Sequence, residues 1–262
     1  MYCQISNGST IEIDKLTLKN LRFNVESGGQ VQVLGKLLFE ENIGTSDILS
    51  IYCSGGESII EITGEMSFKD CQNAGALRVD IVNNGIAILN KLTFQNCVHE
   101  QWQSKGGGMY ASITTGGQLT LTQSALFKNC SSLSNGAGLG GGMYIYVGNS
   151  NCLVQIIGEM TFENCSSLGQ GGGLFCSSLG QVYLNKMTFI NCSGSTGGGM
   201  SLAGTAILQG EVTFTDCNST QIGSGGGGGL YLTPDHGRLL IITGKLTFER
   251  CSSMFYGGGL YI

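Results

Sequence analysis

The chain has 262 residues, of which 44 are glycine, 11 are cysteine and one is proline. Charged residues make up 12%, and 13 Lys and Arg against 18 Asp and Glu leave a net charge of −5. That balance excludes the basic stripe of a nucleic-acid-binding protein, is too thin in charge for a disordered polyelectrolyte, and comes with no apolar run near the ~18 residues of a membrane span.

So much glycine would suggest low complexity, but here it recurs with a period, which points to a repeat. In chain order the coils begin near Met1, Leu21, Ile48, Ala76, Met109, Met143, Leu174, Met200 and Leu230, and Leu260 opens a tenth. The first segment of a coil alternates, as where Leu77, Val79 and Ile81 interleave with Arg78 and Asp80. A short alternating stretch follows, such as Gln118-Leu119-Thr120-Leu121 or Ala206-Ile207-Leu208. The third segment is an apolar residue, Thr, Phe, any residue, Asn or Asp, then Cys. Clear copies are Leu92-Thr93-Phe94-Gln95-Asn96-Cys97, Met160-Thr161-Phe162-Glu163-Asn164-Cys165, Met187-Thr188-Phe189-Ile190-Asn191-Cys192 and Val212-Thr213-Phe214-Thr215-Asp216-Cys217. Looser copies surround Leu18, Phe39, Phe68, Phe127 and Phe248. Each late coil closes on a triple glycine followed by Leu or Met and usually an aromatic, as at 106–110, 140–144 and 257–261.

The alternation has the period of strands and not of helices. A unit of about 29 residues with three short strands has no partner for its apolar face except its own copies, stacked at ~4.8 Å. The fold expected is all-β: a single-stranded parallel β-helix of about nine coils of three short strands, roughly 43 Å tall, forming one domain over residues 1–262. The chain opens in mid-coil and stops three residues into the next, so both ends are expected to be uncapped. It is expected to be a segment of a longer chain, or a subunit that stacks end to end.

Facing follows from the alternation. Phe recurs in nearly every coil and belongs inside, which turns the file Thr17, Thr93, Thr161, Thr188, Thr213 and Thr247 outward. The residue after the inward Leu or Met also points out, giving a candidate contact ladder of Tyr2, Tyr52, Tyr110, Tyr144, Phe175, Tyr231 and Tyr261, broken by Arg78 and Ser201. Such rings either stack along the axis as structure or present a face to a ligand. Lys15, Lys36, Glu65, Lys91, Glu159, Lys186, Glu211 and Lys245 read as a solvated edge of mixed sign. The glycine runs read as corners, because a phosphate cradle needs a helix after them.

Seven cysteines share one file: Cys71, Cys97, Cys130, Cys165, Cys192, Cys217 and Cys251; Cys3, Cys53, Cys152 and Cys176 stand apart. One Cys per coil does not supply the local pairs of a zinc site. Adjacent members are near enough for disulfides, while parallel side chains favour free thiols. Where Asn precedes a Cys of this file, it sits at a corner where its side chain can bond along the stack to backbone groups. Glycosylation acceptor patterns fall at Asn7, Asn129, Asn164, Asn191 and Asn218.

Enzymatic β-helices cluster carboxylates or bases on one face. Asp70 and Asp216 share a file but lie five coils apart, Asp47 and Asp80 show no convergence, and His99 and His236 occupy different turns. No catalytic residue, cofactor or metal is expected. A charged file beside the Thr file argues against a flat ice-binding surface.

The paired motifs resemble the repeats of chlamydial polymorphic membrane proteins and of autotransporter passengers, which share the pectin-lyase-like superfold. That family repeats a Gly-Gly-Ala-aliphatic tetrad, here Gly171-Gly172-Gly173-Leu174, and a Phe-x-x-Asn tetrad, here Phe162-Glu163-Asn164-Cys165 with Cys in the Asn place. The resemblance implies a right-handed helix and a surface-exposed passenger used in adhesion; with the open ends, the acceptor patterns and the lack of clustered catalytic groups, the role expected is a non-enzymatic, extracellular or cell-surface structural one, as an adhesin-like rod, filament component or glycoprotein. Implied partners are further coils, other copies, surface glycans or host cell-surface proteins. The alternative is a carbohydrate-binding or carbohydrate-cleaving β-helix.

Overall fold

The computed structural model describes residues 2–5, 9–13, 16–17, 20–134, 138–220, 226–233 and 239–262. Asn7, Asp14, Lys15, Leu18, Asp235 and His236, and the first coil start at Met1, lie outside the described residues. The strands stack in parallel as a β-solenoid of about eight turns, close to the nine expected. Equivalent residues of successive coils lie directly above one another, as the alternation requires.

The first sheet has ten described strands, running from Tyr2–Ile5 to Leu260–Tyr261. Its register aligns Leu21, Leu49, Leu77, Met109, Met143, Leu174, Met200, Leu230 and Leu260. Coils three and four therefore start one residue later than expected, at Leu49 and Leu77. Ile48 and Ala76 stand where later coils have their third glycine, and without a triple glycine the sequence offers no mark for that place.

The second and third segments of each coil share one sheet rather than two. In most coils they are separate strands, such as Gln118–Leu121 and Ala125–Lys128. In two coils they fuse into Ile59–Lys69 and Ile86–Gln95, with a register irregularity between Leu89 and Lys91. A third sheet of two-residue strands follows the cysteines, from Gln72–Asn73 to Ser252–Ser253. Pairs this short carry no legible alternation, so the sequence shows only a turn there.

The core is continuous and apolar. Its axis is a stack of rings, Phe39, Phe68, Phe94, Phe127, Phe162, Phe189, Phe214 and Phe248. Neighbouring centroids are 4.7 to 5.0 Å apart and the planes diverge by no more than 9°. Ring spacing thus equals strand spacing, and stacking adds to the burial of each ring.

One corner shows why the glycines are needed. Gly171 has φ 67°, which is open to glycine at little cost. A Cβ on Gly172 would lie 2.2 Å from the Gly198 carbonyl oxygen, and one on Gly173 would lie 2.7 Å from the Phe189 ring. The three residues are excluded from bearing side chains by the backbone angle, by the next coil and by the core stack respectively.

Phe162→Ala is expected to cost about 3–5 kcal/mol, by cavity formation in the ring stack. Gly172→Ala is expected to destabilise strongly, because the atom it meets is rigid backbone. Gly56→Ala, whose Cβ meets nothing nearer than 3.9 Å, should stay within about 0.5 kcal/mol of the parent. Urea midpoints of the three variants check this ranking.

Candidate functional site

The outer surface is organised in files. Along the edge between the second and third segments, Lys36 and Lys91 flank Glu65 at 3.4 and 3.5 Å, Lys186 meets Glu159 at 3.0 Å and Lys245 meets Glu211 at 3.0 Å. The solvated edge of mixed sign is thus a row of exposed ion pairs, each contributing little on its own.

The aromatic ladder differs from its expected form in two ways. Tyr52 is not a member: it pairs with Asn24 and Asp80, in the next outward file. The file itself reads Tyr2, Arg22, Ser50, Arg78, Tyr110, Tyr144, Phe175, Ser201, Tyr231 and Tyr261. Nor is it exposed throughout, since Tyr144 and Phe175 are only 5% and 8% accessible. The rings stack, Tyr110 on Tyr144 at 5.4 Å, Tyr144 on Phe175 at 5.3 Å and Tyr231 on Tyr261 at 5.4 Å. Burial pushes the Tyr144 hydroxyl well above its ordinary pKa. The middle of this file is structure, and its ends remain accessible.

The corner asparagines bond to one another and not to backbone. Asn129 Nδ2 donates to Asn96 Oδ1 at 2.9 Å, Asn164 to Asn129 at 3.1 Å and Asn191 to Asn164 at 2.8 Å. The run ends on the carboxylate of Asp70, which accepts from Asn96 at 2.7 Å. These residues hold φ of 51° to 53°, a left-handed conformation that Asn tolerates well. Three acceptor patterns, at Asn129, Asn164 and Asn191, therefore have their amide nitrogens engaged, and a glycan there requires the ladder to open. Asn218 instead accepts at Oδ1 from Ser252.

All eleven cysteines are free thiols. In the file of seven, each sulfur from Cys97 onward donates weakly to the Phe carbonyl of the coil before, at 3.4 to 3.8 Å. Burial pushes Cys130, Cys165 and Cys192 well above the ordinary thiol range, and Cys176 up to about 12. Thiols so placed carry almost no thiolate at neutral pH and are inert. Alkylation of the native protein should reach Cys3, which is partly exposed, before any buried member of the file. Mass spectrometry before and after unfolding measures that order.

A groove of about 800 Å³ lies against the early coils. Its floor is the outer face of the first sheet, where Arg22, Ser50, Arg78 and Tyr110 form one file and Tyr52 and Asp80 the next. Its wall is made by residues 45–47 and 99–105, turns that depart from the repeat. Gln101 Nε2 donates to the Thr45 carbonyl at 2.7 Å and joins the two turns. Trp102 stands at the rim, 78% exposed. On the floor, Arg78 holds Asp80 with two bonds, of 2.6 and 3.2 Å, and lies 4.9 Å above the Tyr110 ring. Asp47 and Asp80, which the sequence left unconnected, thus line one space. Burial raises the Asp47 carboxyl, partly offset by Arg78 and His99. Burial lowers His99, whose Nδ1 lies 3.3 Å from the Lys105 carbonyl oxygen.

Sequence reasoning missed Arg22, Asp47, His99, Trp102 and Lys105 as a group. The available signals were the absence of a triple glycine in the coils of Arg22 and Asp47 and the single Trp in an off-repeat turn. Comparison with family models, curated proteins and solved structures found no match to this chain.

His99 supplies a pH test. Its folded pKa lies below the ordinary value near 6.5, so the unfolded chain binds more protons in the window between them. Stability is full above about 6.5 and falls as pH drops through that window. His99→Gln is expected to flatten that fall, as read from urea midpoints between neutral and mildly acid pH.

Proposed function

We propose that the chain is a non-enzymatic structural solenoid of adhesin type, carried outside the cell as a surface rod or filament component. This is the role implied by its resemblance to the polymorphic membrane proteins. The observation that carries the reading is the set of side-chain files that continue in register from coil to coil. A rod built this way holds its outer groups at fixed spacing, and a repetitive rigid surface suits attachment through many weak contacts. A second reading, carbohydrate binding, is favoured by one specific feature: the groove brings an exposed indole, two Tyr rings and paired charged groups together on a rigid sheet.

Antibody labelling of intact source cells and adherence of chain-coated beads to a cell layer test the first reading. Labelling without permeabilisation, with adherence above that of albumin-coated beads, is expected. Labelling only after permeabilisation, or beads that do not adhere, overturns it. Release of new reducing ends from any polysaccharide on incubation with the chain overturns the non-enzymatic part.

A further inference from the structure

We propose that the groove between the first sheet and the turns at 45–47 and 99–105 binds an acidic oligosaccharide, one anionic group on Arg22, another on Lys105 and a sugar ring on Trp102. The inference rests on the carbohydrate-binding reading and names its ligand class.

Three observations lead to it. First, the charge of the groove opposes that of the chain. Three cations, Arg22, Arg78 and Lys105, face two carboxylates, Asp47 and Asp80, on a protein of net charge −5. Arg78 is consumed by Asp80. Arg22 and Lys105 form no ion pair among the described residues. Their neighbours are aromatic: Arg22 lies 5.9 Å from the Tyr2 ring centroid and Lys105 5.2 Å from that of Tyr144. A cation over a ring keeps its donors available to an incoming carboxylate or sulfate.

Second, Trp102 exposes 78% of its surface on a turn that is tied down by the Gln101 bond to Thr45. A held indole with an open face is a platform for a ring with aligned C–H bonds, which meet the negative face of the π-system. Third, the shape is an open trough whose floor crosses the coils of Arg22, Ser50, Arg78 and Tyr110, ~14 Å at the strand spacing. That length suits a short linear oligomer. The polar groups beside it, Ser46, Ser50 and Gln103, are neutral hydrogen-bonding partners of the kind that hydroxyls need. A nucleic acid would need a longer basic track than two available cations provide.

Titration calorimetry of the full chain tests this, with heparin oligosaccharides, uronic-acid oligomers and neutral cello-oligosaccharides of equal length as probes. Binding of one or both acidic probes is expected, weakening as salt rises. The two acidic arms distinguish sulfate from carboxylate. Trp102→Ala and Arg22→Gln change exposed side chains and are each expected to weaken binding about tenfold or more. Ile190→Ala, an exposed change on the second sheet and outside the groove, should leave it unchanged. Neutral probes that bind as well as acidic ones, with the same loss in Trp102→Ala, overturn the acidic ligand but leave carbohydrate binding intact. Acidic binding that neither groove variant weakens overturns the site. No binding by any probe overturns both.

Discussion

Parallel stacking in register is the constraint on which everything else depends. Each residue has its own counterpart ~4.8 Å above and below it, so a side chain is acceptable only if it tolerates near-identical neighbours at that distance. Few chemistries do, and the chain uses those few. Flat rings tolerate it, hence the Phe axis. Amides tolerate it, because an Asn is both donor and acceptor and can pass a hydrogen bond along the file. Isolated charges do not, so Lys and Glu mix along the edge and Arg250 sets its fork on Asp216 one coil below. The amide run shows the rule at its limit. Its bonds all point toward the start of the chain, and they stop after Asn191 because the next member, Asp216, has no proton to give.

The same rule explains what the sequence disclosed and what it hid. Phe in nearly every coil had to be inside and stacked, and it is. The edge of mixed sign could be read because it answers a pairwise repulsion that depends only on spacing. Errors arose where the repeat carries no punctuation. Tyr52 follows an inward apolar residue as the ladder rings do, but that residue is Ile51, two places past the coil's start at Leu49, and Tyr52 therefore lies in the neighbouring file. Burial of Tyr144 and Phe175 was hidden for another reason. Alternation tells which face of the sheet a side chain leaves from, and not whether a turn from elsewhere in the coil then covers it. Lys105, packed over Tyr144, is part of that cover.

The cysteine file illustrates a choice between two readings that sequence left open. Parallel strands carry their side chains in parallel, and each sulfur from Cys97 onward donates to a Phe carbonyl of the coil before, without a disulfide to its neighbour. A thiol there fills space and satisfies a weak acceptor. The file therefore belongs with the core and not with the surface chemistry.

A perfectly repeating rod offers every ligand many equal sites and discriminates among none. Selectivity needs a place where the repetition fails, and here it fails at one end of the first sheet. Arg22 and Arg78 interrupt the aromatic file, the turn at 45–47 lacks the triple glycine of later coils, and it rises with the turn at 99–105 to form a wall. The rod still contributes, because a groove floored by a sheet is already organised. Arg78 is fixed from two sides, by Asp80 and by the Tyr110 ring, and the wall is fastened by Gln101. A ligand entering such a site immobilises few side chains, so more of its contact energy appears as affinity. The regular coils and the irregular groove are therefore parts of one device, in which repetition supplies stiffness and its interruption supplies the address.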